Sequence, residues 1–326
     1  MTDDGTQAAR IEERLLGGPR RHTRDEAAAS AGVSIEYARR LWRAMGFADV
    51  GDVARAFTDA DLFALGRLVK LVEDGVLDDE LAVSVTRAMG HNAARLAEWQ
   101  VDALVEHLEH ERGLPVEEAT HTAVELLSEH LDDFASLLVF VWCRQVAAVA
   151  GRALASVSAE SVSGTLSVGF ADLVSFTRLS QRLEERELAA LVDRFDSRSA
   201  DVIAAAGGRL VKTVGDEVLF VADSPRDAAL IGLELAETMA EDPVLPDVRV
   251  GIATGTVLTR MGDVFGRTVN LASRLTALAA PGTVLVDHDT ARAIEHSEDF
   301  TLDVERTRAV RGLGLVRPGV VRRPTR

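Results

Sequence analysis

The sequence predicts an α+β protein in two parts: an all-helical half to about residue 155, and a half mixing helices and strands from residue 165 onward. Three observations predict this. Before residue 155, apolar residues recur at spacings of three and four, with no alternating strand pattern. From Leu166 onward, short apolar runs and helical patterns follow one another in the order β-α-β-β-α-β, which fits a ferredoxin-like sheet. Between the halves, residues 156–164 (SVSAESVSG) read as a serine-rich linker. A length of 326 residues also favours two domains.

Composition removes several classes of function. The chain is 47% hydrophobic, enough for ordinary cores. A net charge of −16 argues against broad nucleic-acid affinity. Cys143 is the only cysteine, so no intrachain disulfide forms, and a reducing cytosol fits. The first residues are acidic and polar, unlike a signal peptide. No membrane span is expected, because the most apolar run, residues 137–155, is interrupted by Arg144 and Arg152.

In the first half, Thr23-Arg24-Asp25-Glu26 has the capping-box form and opens a helix to Ala31. Gly32 breaks it, and Ser34 caps a second helix through Met45. The pair has helix-turn-helix form, with Arg39, Arg40 and Arg43 on the second helix. Residues 1–60 hold 9 Arg against 10 acids, too little positive charge for a DNA-reading face, so two packed helices are the better reading. Thr58 or Asp59 caps a helix whose buried stripe is Leu62, Leu65, Leu68 and Leu71. Helices over 81–89, 93–109 and 116–131 follow, and residues 137–155 form one that is apolar nearly all round. His107, His110, His121 and His130 lie in a segment with 10 acids and one base between residues 101 and 133. They read either as a solvated acidic face or as groups whose charged form is favoured near neutral pH.

In the second half, the run 166–173 reads as a buried strand that delivers Asp172 to its end. Residues 179–206 read as one helix, ended by Gly207-Gly208. Strands 209–213 and 217–221 form a hairpin with Asp216 at its tip beside Gly215. Two carboxylates without a His or Cys cluster suit Mg2+ or Mn2+. Taken singly, Asp172 also reads as a helix cap and Asp216 as a turn residue. Ser224-Pro225 opens a helix. Strands follow at 248–254 and 257–261. A helix at 269–279 carries Asn270 and Arg274 on one face, and a late strand spans 283–286. VRGLGLV, 310–316, is expected to close the edge of the sheet.

GFADLVSFT, VKTVGDEVLF and DVFGRTVNLASR stand in this order between residues 164 and 274. Together they resemble the catalytic domain of class III adenylate and guanylate cyclases. The resemblance covers about residues 164–296 and is carried by these three motifs. It implies that Asp172, Leu173 and Asp216 hold two divalent ions, Mg2+ or Mn2+. It implies that backbone amides of Val174, Ser175, Phe176 and Thr177 receive phosphates. Lys212 and Asp263 correspond to the family's purine-reading pair. A lysine donates to a ring nitrogen and an aspartate accepts from an exocyclic amine, which suits adenine. Lys212 is one of two lysines beside 34 arginines, and the two cations are not interchangeable donors. Asn270 would orient the ribose and Arg274 would meet transition-state charge.

Two departures stand out: Ser175 where glycine is usual, and Arg260 in a segment normally built from small residues. The resemblance also implies a homodimer with shared sites, ATP as substrate, and a helical domain that regulates in response to protons or lipid. A guanylate cyclase, or a DNA-binding regulator with a nucleotide-sensing half, is the alternative.

Overall fold

The computed structural model describes residues 4–48, 51, 53–158, 165–260, 262–304, 306–310 and 314–324. The chain divides into two compact units, Met1–Ser156 and Val157–Arg326.

The first unit is built from α1 (Asp4–Leu15), α2 (Arg24–Ser30), α3 (Ile35–Met45), α4 (Asp59–Glu73), α5 (Asp79–Arg112), α6 (Val116–Glu129) and α7 (Leu131–Ser158). Local chemistry sets the boundaries. Thr23 and Glu26 form the expected capping box, and Ser34 accepts from the Tyr37 N–H. Thr58 caps α4, with Asp61 reaching back to its N–H. Each such cap contributes about 1 kcal/mol. The core joins Ala28, Leu41, Trp42, Phe57 and Leu65, with the Trp42 and Phe57 rings 4.4 Å apart.

Three expectations change here. The α4 stripe holds Leu62, Leu65 and Leu68 as expected but takes in Val69 rather than Leu71, which is exposed. Steps of three drift backward around a helix, and alternating steps of three and four stay on one face. The two helices expected over 81–109 are a single α5. Its Gly90 lies against the Met45 backbone, where a Cβ would come within 2.5 Å of the carbonyl oxygen. Finally, α7 runs to Ser158, so the first linker residues are helical, while residues 159–164 lie outside the described residues.

The second unit contains β1 (Thr165–Leu173), α8 (Phe176–Ser180), α9 (Glu185–Ala205), β2 (Arg209–Val214), β3 (Glu217–Ala222), α10 (Pro225–Glu241), β4 (Val248–Thr256), β5 (Leu258–Arg260), β6 (Asp263–Phe265), α11 (Arg267–Leu278), β7 (Val284–Val286), α12 (His288–Ile294), β8 (Thr301–Val304), β9 (Arg308–Val310), β10 (Gly314–Val316) and β11 (Gly319–Arg322). Seven strands form one sheet in the order β2-β3-β1-β4-β7-β11-β8.

Alternation along the strands divides the core between the two faces. Ala171, Leu173, Val218 and Phe220 pack with α9, α10 and α12. Val168, Phe170, Leu219 and Val221 pack with α11 on the other face. The helix expected over 179–206 is interrupted: α8 ends at Ser180, and Glu184 starts α9 with its own capping box to Glu187. Of the run 310–316, Val310 and Gly314–Val316 belong to a separate β9–β10 pair rather than to the large sheet, whose last strand on this side is β8, and residues 311–313 lie outside the described residues.

Candidate functional site

The site begins with a cross-strand row. β1 lies between β3 and β4, and Asp172 faces Glu217 on one side and Arg249 on the other. Alternation puts all three on the face that carries Phe170 and α11. Arg249 holds Asp172 through Nε at 2.6 Å and Nη2 at 2.5 Å, both on Oδ2. Such a charge-assisted fork is among the stronger hydrogen bonds.

Asp216 enters from the hairpin tip. Gly215 takes φ 63°, which an L side chain rarely adopts, and the Asp216 carbonyl accepts from the Leu173 N–H at 3.0 Å. That bond ties the hairpin tip to the end of β1. Burial, then the neighbouring Asp172, raises the Asp216 carboxyl above its usual range. Burial also raises Glu217, to about 7, with Asp172 and Asp216 adding to it and Arg249 opposing.

This donor set fits a divalent cation. Two carboxylates that repel one another meet on rigid elements, and a cation side chain is already drawn to one of them. Among the described residues no three His, Cys, Asp or Glu side chains form a complete metal cage. A bound ion would therefore take its remaining oxygens from water or a ligand, as Mg2+ commonly does.

A second cluster lies at β2 and β6. Lys212 Nζ donates to Asp263 Oδ2 at 2.5 Å, and the Val264 N–H donates to Asp263 Oδ1 at 2.8 Å. Burial works against ionisation of Asp263, but the Lys212 and Val264 bonds outweigh it and hold the carboxyl below its usual range. Both side chains remain partly exposed.

The segment after β1 departs from expectation at one residue. The Val174 N–H donates to the Asp247 carbonyl at 2.8 Å, so this amide is already engaged. The amides of Ser175, Phe176 and Thr177 open α8 and have no backbone acceptor among the described residues. Ser175 has φ 64°, the only non-glycine positive φ among the described residues, at the position where the resemblance expected glycine.

Asn270 and Arg274 share the outer face of α11. Thr268, Ala272, Leu275 and Thr276 face the sheet, whereas Asn270 and Arg274 are exposed. Neither side chain has a hydrogen bond or ion pair among the described residues.

Sequence reasoning named Asp172, Asp216, Lys212 and Asp263 and missed Glu217 and Arg249. The available signal was strand register: both are charges on otherwise apolar strands, directly opposite Asp172.

The family profile "Adenylate and Guanylate cyclase catalytic domain" matches residues 157–320. An "Adenylate cyclase" of Streptomyces coelicolor is 50% identical over 97% of this chain and 90% of its own length. An "Adenylate cyclase" of Streptomyces griseus is 51% identical over 91% of this chain and 74% of its own. A more distant relative, the "pH-sensitive adenylate cyclase MT1302" of Mycobacterium tuberculosis, is 30% identical over 91% of this chain and 77% of its own. The chain belongs to the adenylate and guanylate cyclase family, class III, with a helical unit preceding the cyclase domain.

Proposed function

We propose that this protein is an adenylate cyclase that converts ATP to 3′,5′-cyclic AMP and pyrophosphate, at sites shared between two copies of the chain. The Lys212–Asp263 pair is the observation that carries this reading. The pair offers one donor and one acceptor side by side. Adenine presents the complement, a ring nitrogen that only accepts and an exocyclic amine that donates. Guanine presents the opposite polarity, which this pair would leave unsatisfied.

The 3′-hydroxyl oxygen attacks the α-phosphorus, its proton passes to water or to a phosphate oxygen of the substrate, and the bond to pyrophosphate breaks. Asp172 and Asp216, with the backbone of Leu173, would hold Mg2+ or Mn2+, which when bound lowers the hydroxyl pKa and neutralises phosphate charge. Lys212 and Asp263 fix the base. The free amides of Ser175 to Thr177 receive phosphate oxygens. Asn270 orients the ribose, and Arg274 meets the charge that builds on the five-coordinate phosphorus. Because Asn270 and Arg274 point away from their own sheet, they are suited to complete the site of a second copy. A cytosolic location, where ATP is abundant, belongs to the same reading.

The helical unit would set activity in response to protons. Two observations support it: the printed name of the mycobacterial relative, and four exposed histidines among acids, with His130 Nδ1 3.6 Å from Asp133. A lipid regulator is the alternative.

The test is cyclic nucleotide formation from ATP and from GTP with Mg2+ or Mn2+, from roughly pH 5.5 to 8. Preference for ATP supports the substrate assignment, and preference for GTP overturns it. Replacing His107, His110, His121 and His130 with Gln together should flatten the pH profile. An unchanged profile removes the proton reading and leaves the cyclase reading intact.

A further inference from the structure

From Ala135 to Gly151 every residue of α7 is exposed. Leu137, Leu138, Val139, Phe140, Val141 and Trp142 follow one another, each at least half exposed. The stretch Leu131–Gly151 has a mean hydropathy of 1.6, with none of it buried. An isolated helix is marginal in water even when its composition favours helix, and α7 is rich in valine. An apolar surface of this extent has to be covered by something.

Its periodicity selects the cover. Ala135, Val139, Trp142, Val146, Val149 and Ala153 are spaced 4-3-4-3-4, the repeat of a helix that packs along another helix. Arg144, the charged residue in the middle of α7, projects from the side directly opposite this row. Val139 and Val146 stand seven residues apart, at the repeat position where β-branched residues favour two parallel strands. A bilayer would surround the whole circumference and enclose Arg144 three residues from the middle of the apolar stretch, which is costly.

We infer that α7 is the seam along which two copies of this chain pair in parallel, through Val139, Trp142, Val146 and Val149. The inference rests on the reading of the cyclase as a two-copy enzyme and assigns the element that brings the copies together. Six residues separate the end of α7 from β1. Parallel pairing therefore starts both cyclase domains from the same end of the seam.

The test uses the full chain. In a Cys143→Ser background, Val146→Cys should give a covalent dimer under mild oxidation and Arg144→Cys should not. Val139→Asp with Val146→Asp should weaken self-association about a hundredfold by sedimentation, because like charges would face each other in the seam. Leu137→Asp, on the Arg144 side, should leave association unchanged. If the unaltered chain is a dimer and neither seam variant behaves as stated, the seam is wrong and the two-copy reading survives. If the unaltered chain sediments as a monomer, both fail. If it instead co-sediments with phosphatidylcholine vesicles as a monomer, a bilayer covers α7 and the inference is overturned.

Discussion

Lys212 and Asp263 are 51 residues apart in sequence and 2.5 Å apart in space. The contact joins a strand of the hairpin that carries Asp216 to the short β6 strand, so the pair proposed to read the base is built within one chain. Because both side chains are partly exposed, the pair adds under about 1 kcal/mol to stability. Its effect on substrate choice should be much larger. Lys212→Ala should leave the melting temperature almost unchanged and lower kcat/KM for ATP by about a hundredfold or more, since Asp263 and the base lose a matched partner. Steady-state kinetics beside a thermal melt separates the two effects. A large fall in melting temperature with little change in kcat/KM would make the pair structural.

The acidic row predicts a pH dependence of stability in the absence of metal. Burial and two neighbouring carboxylates raise Glu217 to about 7, above its ordinary 4.5. Between those values the folded state binds more protons than the unfolded chain, so stability falls as pH rises from about 4.5 to 7 and levels off above. Because the side chain is half exposed, water screens the effect to the order of 1 kcal/mol. Urea titrations in the presence of a chelator should show the decline. Glu217→Gln should remove most of it, and Mg2+ should oppose it by pairing the remaining carboxylates. A flat profile in the unaltered chain would contradict this account.

How much of this was legible in the sequence depends on the range of the interactions. Caps are local, and Thr23, Ser34, Thr58 and Ser224 were readable because each side chain bonds a backbone amide two or three residues on. The hairpin tip at Gly215-Asp216 was readable for the same reason. Arg249 and Glu217 were not, because only the register of three strands places them against Asp172. The continuity of α5 past Gly90 was hidden too, since a glycine that ends a helix and one that admits a neighbouring backbone look identical in sequence. The engagement of the Val174 amide was hidden because its partner, Asp247, is remote in sequence.

The seating of α11 on the sheet depends on Gly251. A Cβ there would lie 2.1 Å from the Thr276 nitrogen and 2.5 Å from the Ala272 oxygen, both backbone atoms that cannot swing aside. Thr276 also donates from its hydroxyl to the Phe170 carbonyl, which fixes the depth of the helix. Gly251→Ala should therefore cost about 3 kcal/mol, the upper end for overpacking, and displace the face that carries Asn270 and Arg274. Urea denaturation measures the first effect and cyclase activity the second. A stable, fully active variant would mean that α11 is seated more loosely than this geometry requires.

If the acids come from one copy and the Asn270–Arg274 face from the other, two defective chains should complement one another. Asp172→Asn removes a charge that Arg249 now holds, and Arg274→Ala removes an exposed cation without a partner among the described residues. Each variant alone should be nearly inactive yet folded. In a mixed dimer, one site receives both defects and the other receives neither. Equal amounts that exchange freely form mixed dimers half the time, each with one intact site of two, so activity should return to about one quarter of that of the unaltered protein. Asp172→Asn mixed with Asp216→Asn should recover nothing, because both acids belong to the same half of the site. Recovery in neither mixture, with subunit exchange shown separately by a mass-tagged copy, would mean that each chain builds its site alone. The outer face of α11 would then need another explanation.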